Sequence, residues 1–105
     1  MVARGGVYWV DLDRRRPCVV VSSDDVLSVE VWQTHVVPLT SNLDRAGLGG
    51  NVLLESSATG LAVDSVAGSV GLDLVDRSWL VERVGQLPGA LVVAIDDGLR
   101  AVVGV

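Results

Sequence analysis

Two short runs of β-branched residues, each with polar groups at one end, constrain most strongly how this chain can fold. The first run covers 16–24 and reads RPCVVVSSD, and the second covers 36–42 and reads VVPLTSN. Runs of this composition favour extended strands, and a residue before proline avoids helical geometry, so Arg16 should open a strand. Two such strands in one small barrel could set the Arg16 cation and the Thr40 hydroxyl at the same mouth.

Hydrophobic periodicity predicts a mainly β chain without internal repeats. Alternating and β-branched segments predict strands, and polar or glycine-rich segments predict the connections between them. We expect strands over 7–12, 16–22, 29–39, 51–55, 61–66 and 70–75, turns at 13–15 and 24–27, a mobile glycine-rich loop at 46–50, and an edge, a bulge or a strand end at Pro38.

Two helices are expected near the end of the chain. Asp76 is a suitable N-cap and Gly85 a suitable stop for a short helix through Arg83. From Pro88, which suits a first helical turn, apolar residues recur at helical spacing. These apolar positions are Leu91, Ile95, Leu99 and Val102. The predicted fold is a small, mostly antiparallel barrel or half-barrel with a helix packed against it.

Length and composition indicate one domain, 1–105, that needs no disulfide bonds. The chain has 105 residues, of which 50% are hydrophobic, and this is enough to bury a core. Cys18 has no second cysteine to pair with, and His35 is the only histidine. Because no zinc-ligand spacing is present, we expect neither a metal nor a cofactor.

No membrane segment is expected. The longest apolar run, 90–95, is far too short to span a bilayer. The apolar patch at 7–10 is interrupted by Asp11 and Asp13, which excludes a signal-peptide core. A cytoplasmic location is therefore predicted.

The charge distribution gives two opposite indications about the binding of polyanions. A net charge of −5 repels polyanions at long range. However, all eight basic residues are arginines, and three of them are consecutive, at 14–16. A local basic mouth on an acidic body is therefore possible, whereas the aspartates show no ligand spacing and are interpreted as solvated surface.

A series of short motifs follows in order along essentially the whole chain. These segments are 6–12 (GVYWVDL), 16–24 (RPCVVVSSD), 37–41 (VPLTS), 50–54 (GNVLL), 60–61 (GL), 64–66 (DSV), 83–87 (RVGQL) and the final helix. Each motif alone is weak, but together they resemble the MazF/PemK family of toxin endoribonucleases.

This resemblance implies a fold and a set of partners. It implies an SH3-like barrel of the CcdB/MazF type, a homodimer, and metal-independent cleavage of single-stranded RNA. It also implies a cognate, MazE-like antitoxin whose tail blocks the RNA groove. The 2′-hydroxyl of the substrate would attack the neighbouring phosphate and leave 2′,3′-cyclic phosphate and 5′-hydroxyl ends.

Carried over residue by residue, the resemblance assigns catalysis to Arg16 and Thr40. A guanidinium fork suits the equatorial oxygens of the phosphate in the transition state, and a hydroxyl can donate to one of them. Proton transfer by Arg16 is secondary, because an arginine pKa above about 12 makes it a poor base. RNA-binding roles are predicted for Arg14, Arg15, Ser41 and Asn42.

Other chemically interesting residues have structural explanations. His35 could act as an acid or base, but strand alternation turns it away from Thr40. A lone cysteine in a valine run, Cys18, is typical of a core. The tryptophans could stack on bases, but core or interface roles are favoured for them. They are Trp9, Trp32 and Trp79.

Two departures from the family keep other functions open. Only residues 13–15 separate the first strand from Arg16, which shortens the loop that borders the site, and 68–74 is unusually apolar. One alternative is a non-catalytic toxin that binds DNA gyrase, as CcdB does. Others are a degenerate member that only engages an antitoxin, and a generic oligomerisation domain.

Overall fold

The first three strands form the centre of the sheet, as their β-branched composition predicts. In the computed structural model, which describes residues 2–105, β1 (Gly6–Asp11) and β2 (Arg15–Val20) form an antiparallel hairpin. Strand β2 also pairs antiparallel with β3 (Gln33–Thr40), with Cys18 opposite Pro38. Because β2 is paired on both sides, Arg16 is carried on a strand held between two neighbours.

Shorter elements complete the fold. The remaining strands are β4 (Val52–Leu54), β5 (Ser65–Ala67), β6 (Asp73–Asp76) and β7 (Leu80–Gln86). The helices are α1 (Asp24–Val29), α2 (Ser56–Thr59) and α3 (Gly89–Val103), and 3₁₀ segments lie at Leu43–Gly47, Ser69–Gly71 and Arg77–Trp79. Within the described residues the seven strands form one antiparallel sheet in the order β4-β5-β3-β2-β1-β7, and β6 pairs with the first half of β3.

Alternate residues of the central strands pack into two separate apolar clusters. One cluster lies under α3 and contains Val7, Val19 and Val37, which Ile95 of the helix contacts. The intervening residues, among them Tyr8, Val10, Cys18, Val20 and Val36, form the second cluster with Leu27 and Val75. Each fully buried valine contributes about 1.5–3 kcal/mol, so burial on both faces fixes the strand register.

The C-terminal helix agrees with the sequence prediction, and the mainly β fold with a terminal helix is confirmed. Pro88 lies at the N-cap, one residue before the first turn. The predicted apolar positions Leu91, Ile95 and Leu99 pack against the first cluster, whereas Val102 is 38% exposed. Among residues 2–105, no helix is long and apolar enough to cross a membrane.

The predicted helix from Asp76 through Arg83 is wrong. Asp76 does cap a helical turn, since its Oδ1 accepts a hydrogen bond from the Ser78 N–H at 2.9 Å, but this 3₁₀ segment ends at Trp79. The chain then continues as β7, which pairs with the free edge of β1. Sheet pairing outweighs local capping here, because an isolated short helix gains little by itself.

Several predicted boundaries also shift. Residues 24–27 form the start of α1 rather than a turn, because the Ser23 hydroxyl accepts a hydrogen bond from the Val26 N–H at 3.2 Å and caps the helix. Strand β3 consequently begins at Gln33 instead of residue 29. The predicted strands at 61–66 and 70–75 shrink to β5 and β6, and the expected loop at 46–50 is partly occupied by the 3₁₀ segment Leu43–Gly47.

Candidate active site

The pairing of β2 with β3 carries Arg16 and Thr40 to neighbouring positions. The register between the two strands ends with Cys18 opposite Pro38, and beyond that pair Arg16 and Thr40 line the same two surface grooves. Thr40 is the last residue of β3 and also pairs with Val66 of β5. The cation and the hydroxyl therefore lie together at one end of the central strands.

Two grooves meet at this pair, and their lining contains arginines but no carboxylates. The first, here called the Trp9 groove, has a volume of about 400 Å³. The second, the Arg45 groove, has a volume of about 500 Å³. Both are lined by Arg14, Arg16, Leu39 and Thr40; the Trp9 groove adds Trp9, Arg15, Pro17, Ser41, Leu61, Ala62, Val63 and Ser65, and the Arg45 groove adds Pro38, Asn42, Arg45, Leu48, Asn51, Gly68, Val70 and Gly71.

A third concavity, here called the acidic cavity, is also lined by Arg16. It has a volume of about 800 Å³. Its lining combines three aspartates with Arg16 and an apolar wall, and consists of Asp11, Leu12, Asp13, Arg16, Cys18, Val36, Pro38, Gly71, Asp73 and Trp79. Arg16 thus lines two grooves that contain arginines and one cavity that contains carboxylates.

Asp13 holds the Arg16 guanidinium from the acidic side. The Arg16 Nε lies 3.3 Å from Asp13 Oδ1, and the second contact joins an Nη of Arg16 to Oδ2 at 3.4 Å. The hydrogen bond from Arg16, together with the Arg14 backbone N–H, lowers the pKa of the Asp13 carboxyl below its ordinary value. The carboxylate is 72% exposed, so water screens the pair and a competing anion can replace it.

Arg15 also forms an ion pair with an aspartate, whereas Arg14 does not within the described part of the chain. The Arg15 Nε lies 3.0 Å from Asp11 Oδ1, and both side chains are 55% exposed. Among the residues that the structure describes, Arg14 forms no ion pair. Arg14 therefore presents the least neutralised charge of the three consecutive arginines.

The hydroxyl of Thr40 keeps its proton available. Thr40 Oγ1 accepts a hydrogen bond from the Asn42 N–H at 3.2 Å. A hydroxyl that accepts one bond can still donate another, so Thr40 can donate to a phosphate oxygen. Asn42 in turn caps the segment Leu43–Gly47, because its Oδ1 accepts from the Asp44 N–H at 3.2 Å.

The predicted RNA-binding residues divide between the two grooves. Arg15 and Ser41 line only the Trp9 groove, Asn42 lines only the Arg45 groove, and Arg14 lines both. The structure therefore brings all the predicted site residues to one surface. Their roles stay predictions, because position alone does not measure catalysis.

His35 and Cys18 lie apart from this surface. His35 Nδ1 is 3.2 Å from the Ser22 Oγ, and His35 lines neither groove. Burial raises the pKa of the Cys18 thiol to about 12, so this thiol is unreactive at neutral pH. Both residues are explained by the packing of β2 and β3.

The tryptophans occupy three different settings. Trp9 is half-buried at the wall of the Trp9 groove, where a base can stack on it. Trp79 is 45% exposed beside the acidic cavity, and Trp32 is 72% exposed. Trp32 and Trp79 are therefore not core residues of the single chain, and an interface role for them stays a prediction.

Sequence reasoning missed Arg45. It lies in a 3₁₀ segment that the hydrophobic pattern did not indicate, and its distance from Arg16 in the sequence conceals their shared groove. The usable signal is the capping residue Asn42, which predicts a helical turn that would carry Arg45.

Comparisons with known proteins agree with this geometry. Residues 3–103 match the family described as PemK-like, MazF-like toxin of type II toxin–antitoxin systems. The chain is 32% identical over 110 residues to endoribonuclease MazF6 of Mycobacterium tuberculosis, covering 97% of this chain and 96% of that protein. It is 30% identical over 112 residues to MazF9 of the same organism, covering 95% and 94%.

Solved structures show the same fold. A mycobacterial endoribonuclease in complex with its cognate antitoxin superposes with a TM-score of 0.86 at 21% identity, covering 100% of this chain and 97% of that one. The prediction of a CcdB/MazF-type fold is therefore confirmed.

Proposed function

We propose a mechanism of RNA cleavage for this chain, which belongs to the PemK-like, MazF-like toxins of type II toxin–antitoxin systems and is an endoribonuclease. The resemblance found in the sequence is confirmed at the level of family and activity. The proposal concerns the residues, the substrate strand and the partners.

Arg16 and Thr40 stabilise the phosphate during cleavage. The 2′-hydroxyl of the substrate attacks the adjacent phosphorus, and the bond to the 5′-oxygen of the next nucleotide breaks. The products are a 2′,3′-cyclic phosphate and a 5′-hydroxyl. Negative charge on the equatorial oxygens is met by the Arg16 guanidinium and the Thr40 hydroxyl, and each such donor is worth about 100-fold or more in rate.

One observation carries this assignment above the others: Thr40 lines both carboxylate-free grooves, and Arg16 of the neighbouring strand β2 lines both with it, as Arg14 of the adjoining turn also does. The anionic strand passes from one groove to the other across this pair. Arg14 and Arg15 then contact flanking phosphates, Ser41 and Asn42 donate or accept hydrogen bonds, and Trp9 stacks on a base.

The substrate is single-stranded RNA. Single strands expose base faces to an aromatic side chain such as Trp9, which a duplex keeps stacked. The reaction needs no metal in this scheme, because the nucleophile belongs to the substrate and Arg16 supplies the compensating charge. The enzyme acts in the cytoplasm, where its substrate is made.

A cognate, MazE-like antitoxin blocks the two grooves. The similar mycobacterial endoribonuclease was solved in complex with its own antitoxin. An extended acidic segment would compete for the arginines that bind RNA phosphates, so antitoxin and RNA exclude each other.

A homodimer is the expected assembly. The Arg77 N–H donates to the Trp32 carbonyl at 2.8 Å, which places Trp32 beside the segment that ends at Trp79. With Leu74, which is 46% exposed, these two tryptophans form an apolar surface that a second copy can cover.

Cleavage of a long single-stranded RNA in EDTA tests the proposal. Wild-type protein should give discrete products with 2′,3′-cyclic phosphate ends, and a 2′-deoxy nucleotide at the cut site should abolish the cut. Arg16→Ala and Thr40→Ala should each lose activity, while Arg83→Ala, an exposed arginine outside both grooves, should retain it. Full activity in the first two variants, or no cutting by wild-type protein, would favour a gyrase-binding or antitoxin-binding protein.

A further inference from the structure

Arg45 projects from a braced segment at the far side of the Arg45 groove. Asn51 Nδ2 donates to the Arg45 carbonyl at 3.0 Å, and Asn51 Oδ1 accepts from the Ser69 N–H at 3.1 Å. One amide side chain therefore connects the segment Leu43–Gly47 to the segment Ser69–Gly71. Although its side chain is exposed, Arg45 has a fixed backbone position.

The Arg45 groove is positive at two separate places. Arg14 and Arg16 come from the β1–β2 hairpin, and Arg45 comes from the connection after β3. Among residues 2–105 no carboxylate lines this groove, and Arg14 and Arg45 form no ion pair, whereas Arg16 pairs with the exposed carboxylate of Asp13. In a chain of net charge −5 this arrangement selects for an anion with two charged groups.

Part of the groove wall is apolar, although Thr40, Asn42 and Asn51 also line the groove. Leu48 is 54% exposed, Val70 is 78% exposed, and half-buried Pro38 lies beside them. The volume of about 500 Å³ lies within the range of roughly 300–1,000 Å³ that is usual for small-ligand sites. An apolar wall packs against the face of a base and does not read its hydrogen-bonding edge.

We propose that the Arg45 groove is a subsite for one nucleotide and its two phosphates, and this rests on the proposed ribonuclease function. Arg16 binds the phosphate at which the chain is cut, and Arg45 binds the next phosphate along the strand. The base between them packs on Leu48 and Val70. The subsite therefore adds affinity without strong selection among the four bases.

A nucleoside bisphosphate is the sharpest probe of this subsite. Wild-type protein should bind adenosine 3′,5′-bisphosphate more tightly than adenosine 5′-monophosphate in calorimetry. Arg45→Gln should remove most of that difference, about fivefold for one exposed ionic contact, and Arg45→Lys should restore part of it. Arg83→Gln is the matched control, because Arg83 is exposed on β7 and lines neither groove.

The second experiment measures the binding of RNA that cannot be cut. For a fully 2′-O-methylated oligonucleotide, Arg45→Gln should lower the slope of log K against log salt by about 0.7, the value for one phosphate contact on a single strand. Bisphosphates of the four bases should bind within about threefold of one another, because the wall is apolar.

The outcomes separate this subsite from the ribonuclease assignment. Equal effects of Arg45→Gln and Arg83→Gln in both arms overturn the subsite, even if wild-type protein cuts RNA and Arg16→Ala does not. A strong preference for one base overturns the apolar packing of the base. Failure of wild-type protein to cut RNA overturns the ribonuclease mechanism, and the two binding arms still decide the subsite.

Discussion

The two sides of Arg16 differ in charge although they share a wall. The Trp9 and Arg45 grooves are lined by arginines without carboxylates, whereas the acidic cavity is lined by Asp11, Asp13 and Asp73. The net charge of −5 therefore does not describe the two grooves that are proposed to bind RNA. Binding depends on the charges close to the contact, because salt largely screens the interaction between exposed charges that are more than about 10 Å apart.

The largest effect should come from replacing Arg16, which lines both grooves and the acidic cavity. Arg16→Lys keeps the charge but loses the planar fork, so kcat should fall by about 100-fold or more. Thr40→Ser keeps the hydroxyl and should stay within about threefold of wild type. Single-turnover cleavage measures both variants, and near-normal cutting by Arg16→Lys would show that charge alone suffices.

The next effect should come from making a basic groove acidic. Val70→Asp places a carboxylate on the wall of the Arg45 groove, at a side chain that is 78% exposed. The KM for RNA should rise about tenfold at low salt and less at high salt. Val29→Asp changes the net charge equally at a residue that is 79% exposed on α1, so it is the matched control. Equal effects of the two variants would mean that net charge matters more than the groove.

A smaller effect should follow from releasing Arg16 from the acidic side. Asp13→Asn removes the carboxylate that occupies the guanidinium, so RNA affinity should increase about two- to fivefold. Asp97→Asn breaks an ion pair of the same spacing, with Arg100 on α3, and should leave affinity unchanged. Equilibrium binding of 2′-O-methylated RNA compares them, and a loss of affinity in Asp13→Asn would show instead that the carboxylate positions Arg16.

The same ion pair has a defined pH dependence. The hydrogen bond from Arg16 lowers the pKa of Asp13 below its ordinary 3.8, so the carboxylate is ionised above that range and the pair is lost only as pH falls through the lowered pKa. From about pH 5 to 8 the benefit of Asp13→Asn should therefore stay constant. A benefit that disappeared as pH fell from 7 to about 5 would contradict this assignment.

The smallest effect should distinguish two adjacent arginines. Arg14 lines both grooves without an ion pair among the described residues, whereas Arg15 lines one groove and is held by Asp11. Arg14→Gln should reduce the salt slope of RNA binding by about 0.7, and Arg15→Gln by less. Equal reductions of the salt slope in the two variants would show that RNA displaces Asp11 from Arg15 without a loss of affinity.

The parts of the molecule that sequence predicted are those with a periodic pattern. Strands β1 to β3 and helix α3 follow from β-branched runs and from the spacing of Leu91, Ile95 and Leu99. Strand β7 was missed because Asp76 gives a real capping signal, and only the free edge of β1 decides against a longer helix. Pairing with a strand that is distant in sequence gives no signal in the local amino-acid pattern.

The candidate site was predictable to the same extent. Arg16 and Thr40 belong to two recognisable strands, and their nearness follows once those strands pair. The groove that Arg45 shares with Arg16, and the acidic cavity, could not be predicted, because each depends on segments far apart in sequence that the fold brings together. Residue type alone did not distinguish Arg45 from the other arginines.

The close approach of α3 to Gly50 determines which positions of this protein can vary. A Cβ at Gly98 would lie 2.1 Å from the Gly50 carbonyl oxygen, and Ser69, which donates to that same oxygen, also adjoins the asparagine that braces Arg45. Any side chain at residue 98 would thus push the helix away from the groove wall. Substitutions should be tolerated at Val93, which is 57% exposed on α3, and not at Gly98, although neither residue lines either groove.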